Sequence, residues 1–155
     1  MRSDTDEKEI RMTEPCKSII VRVVCSAIIP FMQIFALYVI THGHYGPGGG
    51  FQGGVILGAS IILQRLYLGK EVSHKKFSPN LAMMLGAIGM LIYMLAGLVP
   101  MATGGAFLDY GHLPIPGVTG APLRSLGILI VEIGIALAVF GTMVLLFDRL
   151  AGGKE

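Results

Sequence analysis

Residues 123–147 read LRSLGILIVEIGIALAVFGTMVLLF, a run whose only charges are Arg124, near its start, and Glu132. An apolar block of this length exceeds the ~20 residues that carry a helix across hydrocarbon, so it reads as a transmembrane span. The acid inside it is the first candidate for function, because a carboxyl at the bilayer centre costs ~2.5–3.5 kcal/mol on insertion scales. Three further blocks, at 18–41, 51–68 and 81–99, approach or exceed the same length. With 53% hydrophobic residues, 14% charged and a mean hydropathy of +0.70, a water-facing globule is excluded. The chain is predicted to be an all-α membrane protein of four transmembrane helices, occupying 17–149. Residues 1–16 are expected to form a mobile tail and 150–155 a second one.

The basic residues orient this bundle. Arg2, Lys8, Arg11 and Lys17 precede the first span, Arg65, Lys70, Lys75 and Lys76 cluster between the second and third, and Arg149 and Lys154 follow the fourth. The connections at 42–50 and 99–122 contain neither Lys nor Arg. The positive-inside bias therefore places both termini and the middle connection in the cytoplasm. The first block is too long for the apolar region of a cleaved signal and lacks a small-x-small site, so it reads as a retained span. Cys16 and Cys25 fall on the reducing side at a spacing that forms no metal motif. Nothing in this pattern calls for a resident metal, another cofactor or a nucleic-acid partner.

Small residues mark where helices meet. Gly50, Gly54 and Gly58 recur every four residues on one face of the second span, the spacing that lets backbones touch. Gly127, Gly134 and Gly141 recur every seven residues in the fourth. At 100° per residue, Ser125, Ile128, Ala136 and Val139 share the Glu132 face, with those three glycines roughly opposite. The acid and the glycine seam are thus expected to look toward different neighbours. Arg124 is eight residues before Glu132, about 12 Å along the axis, too far for direct pairing. The carboxyl must then be protonated, face a hydrated cavity, or meet a cation from another subunit.

The second distinctive stretch is His42–Phe51, HGHYGPGGGF, on the expected outer side. Pro47, Gly48, Gly49, Gly50 and Phe51 form a run that can take dihedrals closed to other residues, which predicts a structural loop. It lacks the Lys-Ser/Thr ending of a phosphate loop, and nucleotide binding is rejected. His42 and His44 leave three readings open: loop anchors, an ion-entry relay, or metal ligands completed by Asp109 and His112 if the fold brings the two outer loops together. All four histidines lie outside the apolar spans, which argues against a bis-histidine haem.

The string His42–Gly54, HGHYGPGGGFQGG, resembles the signature of the MnhB family, small membrane subunits of Mrp-type multi-subunit sodium/proton antiporters. The resemblance extends through His112-Leu113-Pro114 and into the last span around Glu132, where many members carry Asp. It implies an accessory subunit, not an enzyme, in a prokaryotic plasma membrane beside larger antiporter-like subunits. By the same resemblance the chain contributes to a path for sodium ions and protons; Glu132, with Arg124, His42, His44, Asp109 and His112 as further candidates from the residues themselves, is the expected station on it. MnhB-like subunits also occur in redox-driven complexes such as energy-converting hydrogenases, which is the alternative host. A scaffold subunit without ion relay is a third reading, and a metal-dependent membrane enzyme using His42, His44 and His112 a fourth.

Overall fold

The computed structural model describes residues 18–43, 46 and 48–151. The expected N-terminal tail, His44, Pro47 and residues 152–155 lie outside the described residues; Leu150 and Ala151, expected to open the second tail, instead continue the last helix. Helix α1 runs Ile19–His42, α2 Gly50–Leu68, α3 Lys70–Lys76, α4 Pro79–Ala102 and α5 Ala121–Ala151, with one 3₁₀ turn at Tyr110–His112. Among the described residues there is no strand, and four of the helices are long and apolar enough to cross a membrane. Their ends fall within four residues of the spans expected from hydropathy, the last helix reaching furthest beyond its span. α5, at 31 residues, is about 46 Å long and outreaches the ~30 Å hydrocarbon core.

The ends have local causes. α4 begins at Ser78, whose hydroxyl accepts the Leu81 N–H at 3.2 Å, with Pro79 in the first turn where its missing donor is not needed. α2 ends at Gly69, whose φ of +80° is closed to most side chains and turns the chain into the short α3. Pro30 lies within α1, and the helix continues through it.

The four long helices pack in the order α1, α2, α5, α4, and α1 and α4 share no substantial contact. α2 uses two faces for its two neighbours. Toward α1, Gly53 lies under Ile40 and the Ala36 carbonyl, Gln33 donates to Ser60 Oγ at 3.5 Å, and Tyr67 closes a cluster with Cys25 and Ile29. Toward α5, Gly50, Gly54 and Gly58 meet Glu132, Ala136 and Met143 in turn. A methyl group on Gly50 would overlap the Glu132 carbonyl, so the two backbones are in direct contact there. α2 and α5 run parallel; α5 and α4 run antiparallel.

The seam of Gly127, Gly134 and Gly141 faces the other way. Gly134 rests on the Gly89 carbonyl and Tyr93, Gly141 on Ala82 and Gly86, and Gly127 lies under the Tyr110 ring. Below the seam, Ile61, Ala82, Phe140 and Val144 form a core, with Phe77 edge-on to Phe140 at 5.4 Å. The outer sides of α1 and α4 keep long apolar residues exposed, among them Phe31, Ile34, Phe35, Met90, Leu91 and Met94, as lipid or other membrane subunits would require.

Overpacking the α4–α5 contact should be costly. A Cβ on Gly89 would press on Ala138 N and Gly134 O, so Gly89→Leu is expected to destabilise by ~1–3 kcal/mol or more. Gly46→Ala, with open space around it, should be neutral. Thermal unfolding of the detergent-purified variants compares the two.

Candidate functional site

Glu132 lies a turn from the middle of α5, level with the first residues of α2. Its carboxyl is turned into the glycine connection between α1 and α2. A Cβ on Gly43 would stand 2.5 Å from Glu132 Oε1, and one on Gly49 3.2 Å from it. Gly49 adopts a φ of +136° and Gly48 one of +147°, so the loop needs glycine for its backbone as well as for the room it leaves. The carboxyl therefore sits at the N-terminal end of α2, where first-turn N–H groups lack intrahelical acceptors and the helix dipole is positive. That end offsets part of the cost of a buried acid, a contribution from this chain that a count of its basic side chains does not include.

Above Glu132, the same face of α5 carries Leu129, Ile128 and Ser125. These line a depression of about 750 Å³ that also touches Arg124 and runs toward the loop end of the bundle. Arg124 is exposed and stands beside the long connection, its Nε 3.5 Å from the position a Cβ would take on Gly111. There Asp109 accepts the Gly111 N–H at Oδ1 (3.2 Å) and contacts His112 Nδ1 through Oδ2 (2.7 Å). The Gly111 N–H holds the Asp109 carboxyl below its ordinary value; partial desolvation opposes this, and the His112 hydrogen bond and the His112 and Arg124 charges add to the lowering. Burial raises the Tyr110 phenol, with Tyr93 adding to it.

This connection is folded back onto the bundle. Phe107 covers Gly97, Tyr110 covers Gly127, and Thr103 Oγ1 donates to the His112 carbonyl at 2.7 Å. Asp109, His112 and Arg124 are thus brought together at the loop end. His42 is held elsewhere: it stacks on Tyr38 with ring centroids 4.3 Å apart, and its Nδ1 lies 3.1 Å from both the Tyr38 carbonyl and Thr41 Oγ1. Among the described residues no group of three or more His, Cys, Asp or Glu side chains could hold a metal.

At the opposite end lies a charged cluster that sequence reasoning missed. Arg65, expected in the basic connection after the second span, lies inside α2 with 2% of its side chain exposed, 2.7 Å from Asp148 Oδ1. The guanidinium also reaches Ser73 Oγ at 3.4 Å and the Phe77 carbonyl at 3.3 Å, while His74 Nε2 lies 3.5 Å from the same carboxyl oxygen. Asp148, 9% exposed, is a second buried acid where hydropathy alone points to one. The available signal is modest: an Arg within one apolar block and an Asp at the edge of another, at the same end of the bundle.

A family model described as a domain related to the MnhB subunit of Na+/H+ antiporter matches residues 20–145. The chain belongs to the MnhB family. Relatives include the mnhB2 protein of Staphylococcus haemolyticus, named as an antiporter subunit and 33% identical over 88% of this chain and 96% of the relative. A Na(+)/H(+) antiporter subunit from Bacillus subtilis is 33% identical over 71% of this chain and 81% of its own. The mnhB2 protein of Staphylococcus aureus is 29% identical over 88% and 96%. The family match reaches all four long helices of this MnhB chain and takes in Glu132 and Arg65.

Two outcomes follow for the MnhB chain. Arg65→Gln leaves the Asp148 carboxylate buried without its cation and should destabilise the protein by ~3–5 kcal/mol, measured by thermal or denaturant unfolding in detergent. For Asp109, the depressed folded value means that its contribution is fully present above its ordinary value of 3.8 and is lost as pH falls through the folded one. The Gly111 amide resonance should therefore keep its hydrogen-bonded shift down to about pH 4 and move only in stronger acid, a movement that Asp109→Asn should abolish.

Proposed function

We propose that this chain is an accessory subunit of a multi-subunit sodium/proton antiporter and that Glu132 carries or relays the cation within the membrane. The observation that carries this reading is the lodging of the Glu132 carboxyl against Gly43 and Gly49 at the N-terminus of α2. A glycine loop folded around an intramembrane acid is more than helix packing needs, and intramembrane acids mark ion paths by default. The depression beside Ser125, Ile128 and Leu129 supports an approach to that face from the loop end. The chain's relatives, named as subunits of antiporters, support the host complex.

In this reading Glu132 exchanges a proton for a sodium ion, or passes one of them on, while the glycine loop sets how much water and how much positive dipole the carboxylate meets. Arg124, Asp109 and His112 form the charged rim at the loop end that an ion crosses first. One carboxyl cannot bridge ~30 Å of hydrocarbon, so the rest of the route belongs to neighbouring subunits. The exposed faces of α1 and α4 are where those neighbours would stand.

The test is antiport by the assembled complex in membrane vesicles. Glu132→Gln, nearly isosteric, should leave assembly intact and lower the exchange rate by at least about tenfold, with Glu132→Asp retaining part of it. Normal exchange by the Gln variant would remove the acid from the mechanism and leave a scaffold subunit.

A further inference from the structure

The seam between α2 and α5 does not by itself fix how the two helices are aligned. Its contacts are Gly50 on Glu132, Gly54 on Ala136 and Gly58 on Met143, and the glycines repeat every four residues. Gly46 continues the same spacing before the helix begins. If α2 slid by one turn, about 6 Å, toward the end carrying α3, Gly46 would meet Glu132 and Gly50 would meet Ala136. Small residues would again oppose the same partners. The connections on either side of α2 contain Gly48, Gly49 and Gly69 at positive φ.

Across this seam one charged contact opposes the slide. Arg65 and Asp148 continue the register of the glycine contacts: residue 65 opposes residue 148 much as residue 50 opposes residue 132. A one-turn slide would carry Arg65 about 6 Å past Asp148 and leave two buried charges apart. We infer that the Arg65–Asp148 ion pair is the register pin of the α2–α5 seam, and that it acts as a positioning device that keeps Gly43 and Gly49 against the Glu132 carboxyl. Its functional half rests on the role proposed for Glu132; its structural half does not. The pair is well placed for this task. It lies at the far end of the seam from Glu132, it is almost wholly buried, and Ser73 and the Phe77 carbonyl hold the guanidinium from the α3 side. Buried ionic groups add little net stability compared with apolar replacements, and fixing register is the role for which they are best attested.

The experiment removes both charges together, so that neither is stranded. In the full complex, with Cys16 and Cys25 replaced by Ala, cysteines at Gly58 and Met143 report the native register. A Cβ on Gly58 would stand 3.1 Å from that of Met143, close to disulfide geometry. Cysteines at Gly58 and Phe147 report the slid one. With Arg65 and Asp148 present, only the first pair should cross-link. In Arg65→Met/Asp148→Leu, the ratio of slid to native cross-link should rise by at least about tenfold and sodium/proton exchange should fall with it. The charge swap Arg65→Asp/Asp148→Arg should restore the native cross-link. A Met/Leu variant that assembles and cross-links only between positions 58 and 143 would overturn the pin. Slid cross-links with undiminished exchange would uphold the pin and overturn the role given to Glu132.

Discussion

The contact on which the rest of this structure depends is backbone on backbone, between the start of α2 and the middle of α5. No side chain intervenes where Gly50 meets the Glu132 carbonyl, and only small residues intervene at Gly54 and Ala136. In hydrocarbon the hydrophobic effect gives two helices no reason to associate, so close packing has to do so. The approach of α2 has a second consequence. It brings Gly43 and Gly49, at the two ends of the α1–α2 connection, against an intramembrane carboxyl.

That arrangement offers one resolution of the cost of burying an acid. The carboxyl meets the positive end of a helix and two glycines, Gly43 and Gly49, whose missing side chains leave it space, so backbone dipoles contribute to the offset. At the opposite end the chain uses the conventional solution, an Arg beside an Asp, with a His on the same oxygen. The two acids of α5 thus have different surroundings, the start of a helix with its glycines for Glu132 and a guanidinium at 2.7 Å for Asp148.

How far the sequence discloses this follows from which interactions are periodic. Hydropathy blocks locate the four spans to within a few residues of α1, α2, α4 and α5, because each crosses the bilayer almost alone and its composition reflects that. The helical wheel places Ala136 and Val139 with Glu132 and the Gly127, Gly134 and Gly141 seam on another side, and α5 does turn these faces to α2 and α4 respectively. What a wheel cannot give is which turn of one helix meets which turn of another. Glu132 and the glycines at 43, 49 and 50 are separate oddities in the sequence and neighbours in space, since their meeting depends on the parallel α2–α5 register. Counting charges along the chain puts Arg65 in a basic connection, and only the position of Asp148 on a different helix reveals it as a buried partner.

The order α1, α2, α5, α4 also explains why so few polar groups of this chain lie in its middle. In a closed bundle of four, α1 and α4 would touch and enclose a common interior in which a path could run. Here they stay apart, and each touches one long neighbour over most of its length. The deep polar groups fall on the two inner helices or on the α1–α2 contact: Glu132 and Asp148 on α5, Arg65 on α2, Gln33 against Ser60. A flattened row of this kind has no interior of its own to conduct through. Any route that includes Glu132 must therefore run along a face of the row, closed on its other side by something outside this chain. An incomplete enclosure around a well-built carboxyl site is the form expected of a part that functions only in a larger assembly.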